Sequence, residues 1–154
     1  MSTDAFPGRD DCNCLAVRQA ARHITQFYDQ FLAPSGLRTT QFSILGRLRR
    51  LGSMTINALA ADLVMDRTTL GRNILPLERD GLIAVVKGSR DRRSKELRLT
   101  EAGEARFRAA VKSWAQAQTQ FEAVFGAKRT MDMRALLHAV AATDLGTAGV
   151  GAEK

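Results

Sequence analysis

Residues 55–100 decide the fold, and they read TINALAADLVMDRTTLGRNILPLERDGLIAVVKGSRDRRSKELRLT. In the first half, apolar side chains recur every three or four residues in two short segments, which is typical of amphipathic helices. In the second half, two strand-like runs flank a basic loop. A pair of short helices followed by a β-hairpin is a helix-turn-helix with a wing. The sequence therefore predicts a mainly α protein with a small β-hairpin, built around a winged helix.

The second helix of this motif carries the clearest local signals. Thr55 starts the first helix, and Asp66 is placed to cap the second by accepting from the N–H of Thr68 or Thr69. Gly81 suits the left-handed residue that ends a helix. Its buried face is predicted to consist of Leu70, Ile74 and Leu77. Pro76 removes an N–H and crowds the preceding turn, so we expect either a bend there or a helix that stops at Leu75.

This second helix has the side chains that a recognition helix needs. An α-helix fits the major groove of DNA, where residues near its N-terminus reach the base edges. Arginine can bind guanine or phosphate, asparagine can read adenine, and threonine can contact phosphate or a thymine methyl group. The candidates are Arg67, Thr68, Thr69, Arg72 and Asn73. The alternative is that the threonines only help to cap the helix and that the arginines are solvated.

The loop between the two strands would be the wing. Arg90, Arg92 and Arg93 could follow the phosphates, or one of them could enter a narrow minor groove. Phosphate repels Asp91, so we expect this carboxylate to orient a neighbouring arginine through a salt bridge.

The positive charge of the chain is concentrated on the same motif. The net charge is +7, and residues 67–98 hold nine Lys/Arg against four Asp/Glu. Residues 1–37 hold three against four, and residues 101–125 hold three of each. Concentrated positive charge indicates a phosphate-binding surface, with a solvated basic face as the alternative.

The flanking segments are predicted to be helical. A first helix runs from about residue 11 to 32, capped by Asp10 or Asp11, and Thr39 or Thr40 caps the next helix. A long helix at 101–125 carries two interleaved sets of side chains seven residues apart, which is typical of a heptad seam. These are Phe107, Trp114 and Phe121, and Val111, Gln118 and Phe125. Thr130 could cap a last helix whose inward face is Met133, Leu136, Leu137 and Val140. Residues 1–10 and 146–154 are expected to be a flexible arm and tail.

Other classes of protein find little support. No apolar run approaches the ~18 residues of a membrane span, and the first residues lack the apolar core of a secretory signal. We therefore expect a cytoplasmic protein with no membrane partner. Cys12, Cys14 and two distant histidines do not form a recognisable zinc set, so no metal or other cofactor is expected.

Three short motifs resemble one family. They are Leu-Glu-x-x-Gly-Leu-Ile at 77–83, Asp-x-Arg at 91–93 and Leu-Thr-x-x-Gly at 99–103. Gly-Leu at 36–37 and Gln-Phe at 41–42 lie upstream of them. In this order and spacing they resemble the MarR family of bacterial winged-helix regulators.

The resemblance implies a homodimer that represses transcription until a signal releases it. Residues 11–37 and 101–145 would be the dimerisation helices, which the heptad seam also suits, and residues 38–100 the DNA-binding lobe. The operator would be double-stranded DNA with two related half-sites. Asp91 and Arg93 occupy the positions of the wing aspartate and of the arginine that enters the minor groove.

The resemblance leaves two kinds of signal open. A small aromatic or phenolic molecule could bind between the dimerisation helices and the DNA-binding lobe. His23, Phe27, Tyr28, Phe31 and Phe42 are the candidate lining residues, with plain core packing as the alternative.

The chain also resembles, more distantly, a subgroup of the family, the organic hydroperoxide regulators, which carry a reactive cysteine at the start of the first helix. Cys14 falls at or near that place and could be a peroxide-sensing thiol, because a helix N-terminus lowers the pKa of a thiol. A thiol peroxidase-type enzyme and a sequence-blind DNA-coating protein are further alternatives. We expect no enzyme activity, since no partner base for Cys14 is placed by a motif.

Overall fold

The structure is a computed structural model that describes residues 11–146. The predicted arm, and the predicted tail beyond Gly146, lie outside these residues. In chain order the elements are α1 (Asn13–Leu32), a 3-10 turn (Ala33–Ser35), α2 (Thr39–Leu51), β1 (Met54–Thr55), α3 (Ile56–Asp62), α4 (Arg67–Arg79), β2 (Ile83–Lys87), β3 (Lys95–Leu99), α5 (Glu101–Phe125) and α6 (Ala127–Ala142). They form two compact units that divide between Gln118 and Thr119. No helix within 11–146 is both long enough and apolar enough to cross a membrane.

The sheet has one strand more than the sequence predicted. Its order is β1-β3-β2, and both pairings are antiparallel. The hairpin pairs Ala84 with Arg98 and ends at Lys87 opposite Lys95. β1 is only two residues long and pairs Met54 with Leu97, so it shows no alternation from which it could be predicted. The expectation of a mainly helical chain with a small antiparallel sheet is confirmed.

The core of the first unit lies between the helix-turn-helix, α2 and the sheet. The predicted buried face of α4 is confirmed, since Leu70, Ile74 and Leu77 are all buried. The largest fully buried side chains are Leu32, Ile44, Leu45, Leu59, Leu70, Leu77 and Ile83. Phe42 of α2 stacks on Phe107 of α5 with 4.8 Å between the ring centroids, and Trp114 lies 6.1 Å from it. The first part of the heptad seam is therefore packed against its own chain.

The cap of α4 is the predicted one, and Thr55, near which the sequence placed the start of α3, caps that helix. The Thr55 hydroxyl oxygen accepts from the N–H of Ala58 at 3.1 Å. The Asp66 carboxylate accepts from the N–H of Thr69 at 2.8 Å and from its hydroxyl at 2.5 Å. Both side chains satisfy N–H groups that have no partner inside the helix.

The predicted caps of the two preceding helices are wrong. α1 begins after Cys12, whose sulfur accepts from the N–H of Leu15 at 3.4 Å, so neither aspartate caps it. α2 begins after Arg38, and the Asp29 carboxylate of α1 accepts from both the N–H and the hydroxyl of Thr39 at 2.7 Å. The cap of α2 comes from another helix, which local sequence signals do not reveal.

Pro76 does not end α4. The helix continues to Arg79, and the N–H of Asp80 donates to the Pro76 carbonyl at 3.0 Å. The alternative in which the helix stops at Leu75 is therefore wrong. Gly81, with a φ of +73°, ends the helix as predicted.

The junction between the hairpin and α5 explains the Leu-Thr-x-x-Gly motif. The Thr100 hydroxyl donates to the Gly81 carbonyl at 2.6 Å and accepts from the N–H of Gly103 at 3.0 Å. A Cβ on Gly103 would lie 2.1 Å from the Leu82 carbonyl oxygen and 2.7 Å from Cδ1 of Leu99. Only glycine allows α5 to start this close to the hairpin.

The predicted inward face of α6 is wrong for the single chain. Leu136 and Val140 are 69% and 53% exposed, Leu137 is also exposed, and Met133 is half-buried. The periodicity correctly places these side chains on one face, but residues 11–146 of one chain leave that face largely uncovered. Thr130 is not the cap either, because α6 begins after Gly126 and Thr130 is buried within the helix.

We predict that Gly103→Ala destabilises the protein by about 1–3 kcal/mol, because the added methyl group collides with a backbone oxygen. The free energy of unfolding in urea measures this loss. Gly71→Ala is the matched control, since no atom lies within 4 Å of its added Cβ and alanine favours a helix interior by up to about 1 kcal/mol over glycine. Equal stabilities of the two variants would contradict the packing argument.

Candidate nucleic-acid interface

The N-terminal half of α4 presents four polar side chains to solvent. Arg67, Thr68, Thr69 and Arg72 are exposed. Thr69 is engaged in the Asp66 cap, and its hydroxyl and N–H hold the pKa of that carboxyl below its ordinary value. The alternative interpretation, a capping threonine, therefore describes Thr69 but not Thr68.

Asn73 is half-buried, and its amide donates to the Thr69 carbonyl at 2.9 Å, one turn earlier in the helix. This bond fixes the orientation of the amide in the DNA-free protein. To read an adenine, the side chain must exchange an intrahelical partner for a base.

The wing tip is shaped by backbone hydrogen bonds around Asp91. The Asp91 carboxylate accepts from the N–H of Arg93 at 2.9 Å, and its carbonyl accepts from the N–H and the hydroxyl of Ser94 at 3.1 and 2.7 Å. Within 11–146 the carboxylate makes no salt bridge, so the predicted pairing with an arginine side chain is wrong. Asp91 instead orients the backbone from which Arg93 projects.

Glycine is required at the base of this tip. A Cβ on Gly88 would lie 2.1 Å from the Ser94 hydroxyl oxygen and 2.5 Å from the Asp91 carbonyl oxygen. The N–H of Gly88 donates to the Ser94 carbonyl at 2.9 Å, which closes the loop. The tip is therefore a compact turn from which Arg90, Arg92 and Arg93 extend, all exposed.

Some arginines away from this surface pair with carboxylates. Arg47 of α2 forms an ion pair with Asp62 of α3 at 2.5 Å. Arg49 and Arg108 each lie 2.8 Å from Glu104, and the hydrogen bond from Arg49 is the main cause of the lowered pKa of that carboxyl. The Arg47 and Arg49 pairs join α2 to α3 and to α5, whereas the Arg108 pair lies within α5.

The candidate arginines in the N-terminal half of α4 and in the wing form no such ion pairs within residues 11–146. Among the residues that the structure describes, no carboxylate forms an ion pair with Arg67, Arg72, Arg90, Arg92 or Arg93. These side chains are exposed, so their positive charges are available to an external anion. The predicted DNA-binding arginines on these two elements are thus free of internal partners.

The structure adds two cations that the sequence did not single out. An open groove of about 600 Å³ runs beside the wing between the hairpin and the start of α3. Lys87, Arg90 and Arg98 line it together with one acid, Glu96. Lys87 and Arg98 both lie in the strands. The sequence placed Lys87 at the start of the basic loop, but neither residue was among the predicted DNA-binding residues.

Comparison with known proteins identifies the same lobe. The family model described as MarR family matches residues 37–95. The Mycobacterium tuberculosis transcriptional regulator MosR is 37% identical in a structural match that covers 88% of this chain and 99% of MosR, with a TM-score of 0.73. MosR in complex with DNA is 39% identical over 84% of this chain and 96% of that chain, with a TM-score of 0.72. The chain belongs to the MarR family.

Two relatives known by sequence add to this. The Rhodopseudomonas palustris transcriptional activatory protein BadR is 41% identical over 71 residues, which are 44% of this chain and 41% of BadR. The match thus spans less than half of BadR. The Escherichia coli homoprotocatechuate degradative operon repressor is 28% identical over 127 residues, which are 82% of this chain and 86% of that protein.

In this MarR-family chain the candidate effector residues fall into separate groups. Phe27 of α1 lies between Tyr28 and Phe31, at centroid distances of 5.7 and 5.1 Å, and all three are half-buried. The Tyr28 hydroxyl donates to Gln118 of α5. Phe42 is buried in the α2–α5 ring stack, and His23 is exposed on α1.

Both cysteines lie at the start of α1. Cys14 is the second residue of the helix and is exposed, whereas Cys12 is half-buried and caps the helix through its sulfur. Only Cys14 therefore has the place and the exposure of a thiol that an external oxidant could reach directly.

Proposed function

We propose that this MarR-family protein is a sequence-specific DNA-binding repressor that acts as a homodimer on a pseudo-palindromic operator. One observation carries the proposal. The candidate arginines on the N-terminal half of α4 and on the wing are exposed and have no carboxylate partner in the described part of the chain, whereas Arg47 and Arg49 of α2 are paired.

The two elements suit the two grooves of DNA. The N-terminal half of α4 would lie in the major groove, with Arg67 and Arg72 binding guanine or phosphate. The wing tip would reach the adjacent minor groove, where Arg93 could enter and Arg90 and Arg92 would hold the phosphates. MosR, a relative with the same fold, has been crystallised in complex with DNA, which supports DNA binding by this fold.

The uncovered face of α6 supports the homodimer. A row of large apolar side chains on a solvent-exposed face indicates a protein interface, and a two-fold dimer buries the same face of both copies. Such a dimer would present two recognition helices to the two related half-sites of one operator.

For the signal, we propose a small aromatic or phenolic acid. The half-buried rings of Phe27, Tyr28 and Phe31 offer apolar and edge contacts to an aromatic ligand. A relative that matches most of this chain is the homoprotocatechuate degradative operon repressor of Escherichia coli, and homoprotocatechuate is an aromatic acid.

A second candidate is peroxide sensing through Cys14. The observation that favours it is the exposure of this thiol in the first turn of α1, where an external oxidant can reach it. Cys12 is engaged as the cap and would be the less reactive of the two.

We predict that Arg72→Ala and Arg93→Ala each weaken operator binding by about 1–3 kcal/mol, which is roughly five- to 150-fold. Each loses a contact to a base edge or phosphate, and a fluorescence titration with a labelled operator measures the change. Arg79→Ala is the matched control, because Arg79 lies at the other end of α4 beside Asp80. Parental affinity in both variants would contradict the assigned surface.

We predict that Leu136→Glu converts the dimer to monomers, since a carboxylate cannot be buried at an apolar interface without a partner. Light scattering after size exclusion measures the mass, and operator affinity should fall with it. Leu51→Glu places the same charge on another exposed leucine of the chain, at the end of α2, and should leave the mass unchanged. A persistent dimer in Leu136→Glu would exclude the α6 face from the interface.

We predict that aromatic acids release the operator from both the parent and Cys14→Ser, and that hydroperoxide releases it from neither. Operator binding is measured with a panel of aromatic acids and with an organic hydroperoxide. Cys12→Ser is the control, because serine also caps helices. If hydroperoxide releases the operator from the parent but not from Cys14→Ser, the signal is oxidation of Cys14 and not an aromatic acid.

A further inference from the structure

The groove beside the wing is an extension of the candidate nucleic-acid interface. It begins at the wing tip with Ser89 and Arg90 and runs along the sheet towards the start of α3, where Thr55 and Ala58 line it. Arg90 belongs to both surfaces, so any molecule that contacts the wing tip can continue into the groove.

The charges of the groove are unbalanced. Lys87, Arg90 and Arg98 face a single acid, Glu96, and none of the four forms an ion pair within 11–146. Lys87 also lies directly opposite Lys95 in the last pair of the hairpin. Like charges in a cross-strand pair repel each other, and a bound anion would relieve that repulsion.

The size and the lining decide what kind of anion fits. The volume of about 600 Å³ is many times the ~30 Å³ that one water molecule occupies, so the groove suits an extended group rather than a single ion. Met54, Ala58 and Val86 provide apolar contacts. None of the lining residues is aromatic, so the groove offers no ring for stacking. This lining favours a sugar-phosphate chain over a small aromatic acid.

The geometry of DNA places such a chain here. A major groove and the minor groove next to it are separated by one sugar-phosphate strand. If α4 lies in the major groove and the wing tip in the minor groove, that strand must pass beside the wing. Hydroxyl groups of Ser53, Thr55 and Ser89 line the same groove and can donate to phosphate oxygens.

We infer that the groove binds the sugar-phosphate strand between these two DNA grooves, with Lys87 and Arg98 as phosphate-binding residues. The inference rests on the proposed function. It assigns to these two strand residues a contribution to affinity that is independent of sequence, in contrast to the base contacts proposed for α4 in the major groove.

The test is the salt dependence of binding by Lys87→Gln and Arg98→Gln, which remove a charge and keep a long side chain. Each should make the negative slope of log K against log salt shallower by about 0.9. Each should also lower the affinity at 0.1 M salt by about five- to tenfold. The loss should be equal for the operator and for a random duplex, because phosphates carry no sequence information. Arg98→Lys should restore the slope. Lys112→Gln, on an exposed lysine of α5 that does not line the groove, is the matched control.

Glu96→Gln provides a gain-of-affinity test. It removes the one negative charge of the groove, so both DNAs should bind roughly two- to fivefold more tightly at low salt. Glu101→Gln makes the same change at an exposed position of α5 outside the groove and should have no such effect. A general loss of folding in Glu96→Gln would weaken binding rather than strengthen it.

The inference is overturned if Lys87→Gln and Arg98→Gln keep the parental slope, or if their loss is confined to the operator. If the variants keep the parental slope but 4-hydroxybenzoate no longer releases the operator from them, the groove binds a small acid instead. A different result would contradict the proposed function, namely equal affinity of the parent for the operator and for a random duplex. The salt slopes measured with a random duplex test the role of the groove even if the parent does not prefer the operator.

Discussion

The contact between Gly103 and the Leu82 carbonyl holds the DNA-binding lobe in one arrangement. It lets α5 start against the end of the recognition helix, and the Thr100 hydroxyl then joins the Gly81 carbonyl to the N–H of Gly103. The recognition helix, both strands of the wing and α5 therefore meet within a few residues. This junction helps to fix the spacing between side chains on α4 and side chains on the wing.

Arginine has two separate tasks in this protein. Arg47 and Arg49 face carboxylates on α3 and α5 and hold α2 against both helices. On the N-terminal half of α4 and on the wing no described carboxylate pairs with an arginine, and Asp66 and Asp91 bind backbone N–H groups instead. Asp66 caps the helix and Asp91 shapes the tip. Acids beside the DNA-binding surface are thereby kept from neutralising it.

Features that depend on neighbouring residues could be predicted from the sequence, and features that depend on distant ones could not. The cap at Asp66, the end at Gly81 and the buried face of α4 follow from local chemistry. Asp29 caps α2 from ten residues away, and β1 exists only because β3 lies beside it. The apolar face of α6 was placed correctly on the helix, but periodicity cannot say whether the same chain or a second one covers it. For the candidate site, the residue types were predictable, whereas the backbone role of Asp91 and the groove were not.

The cap that α1 supplies to α2 has a consequence for modularity. Besides that cap, α2 takes a ring partner for Phe42 from Phe107 and a counter-ion for Arg49 from Glu104. A winged helix cut at residues 38–100 would leave all three partners behind. The segment 38–100 therefore cannot be transferred to another protein without losing contacts that hold α2 in place. Recombination must carry the end of α1 and the first turns of α5 with it.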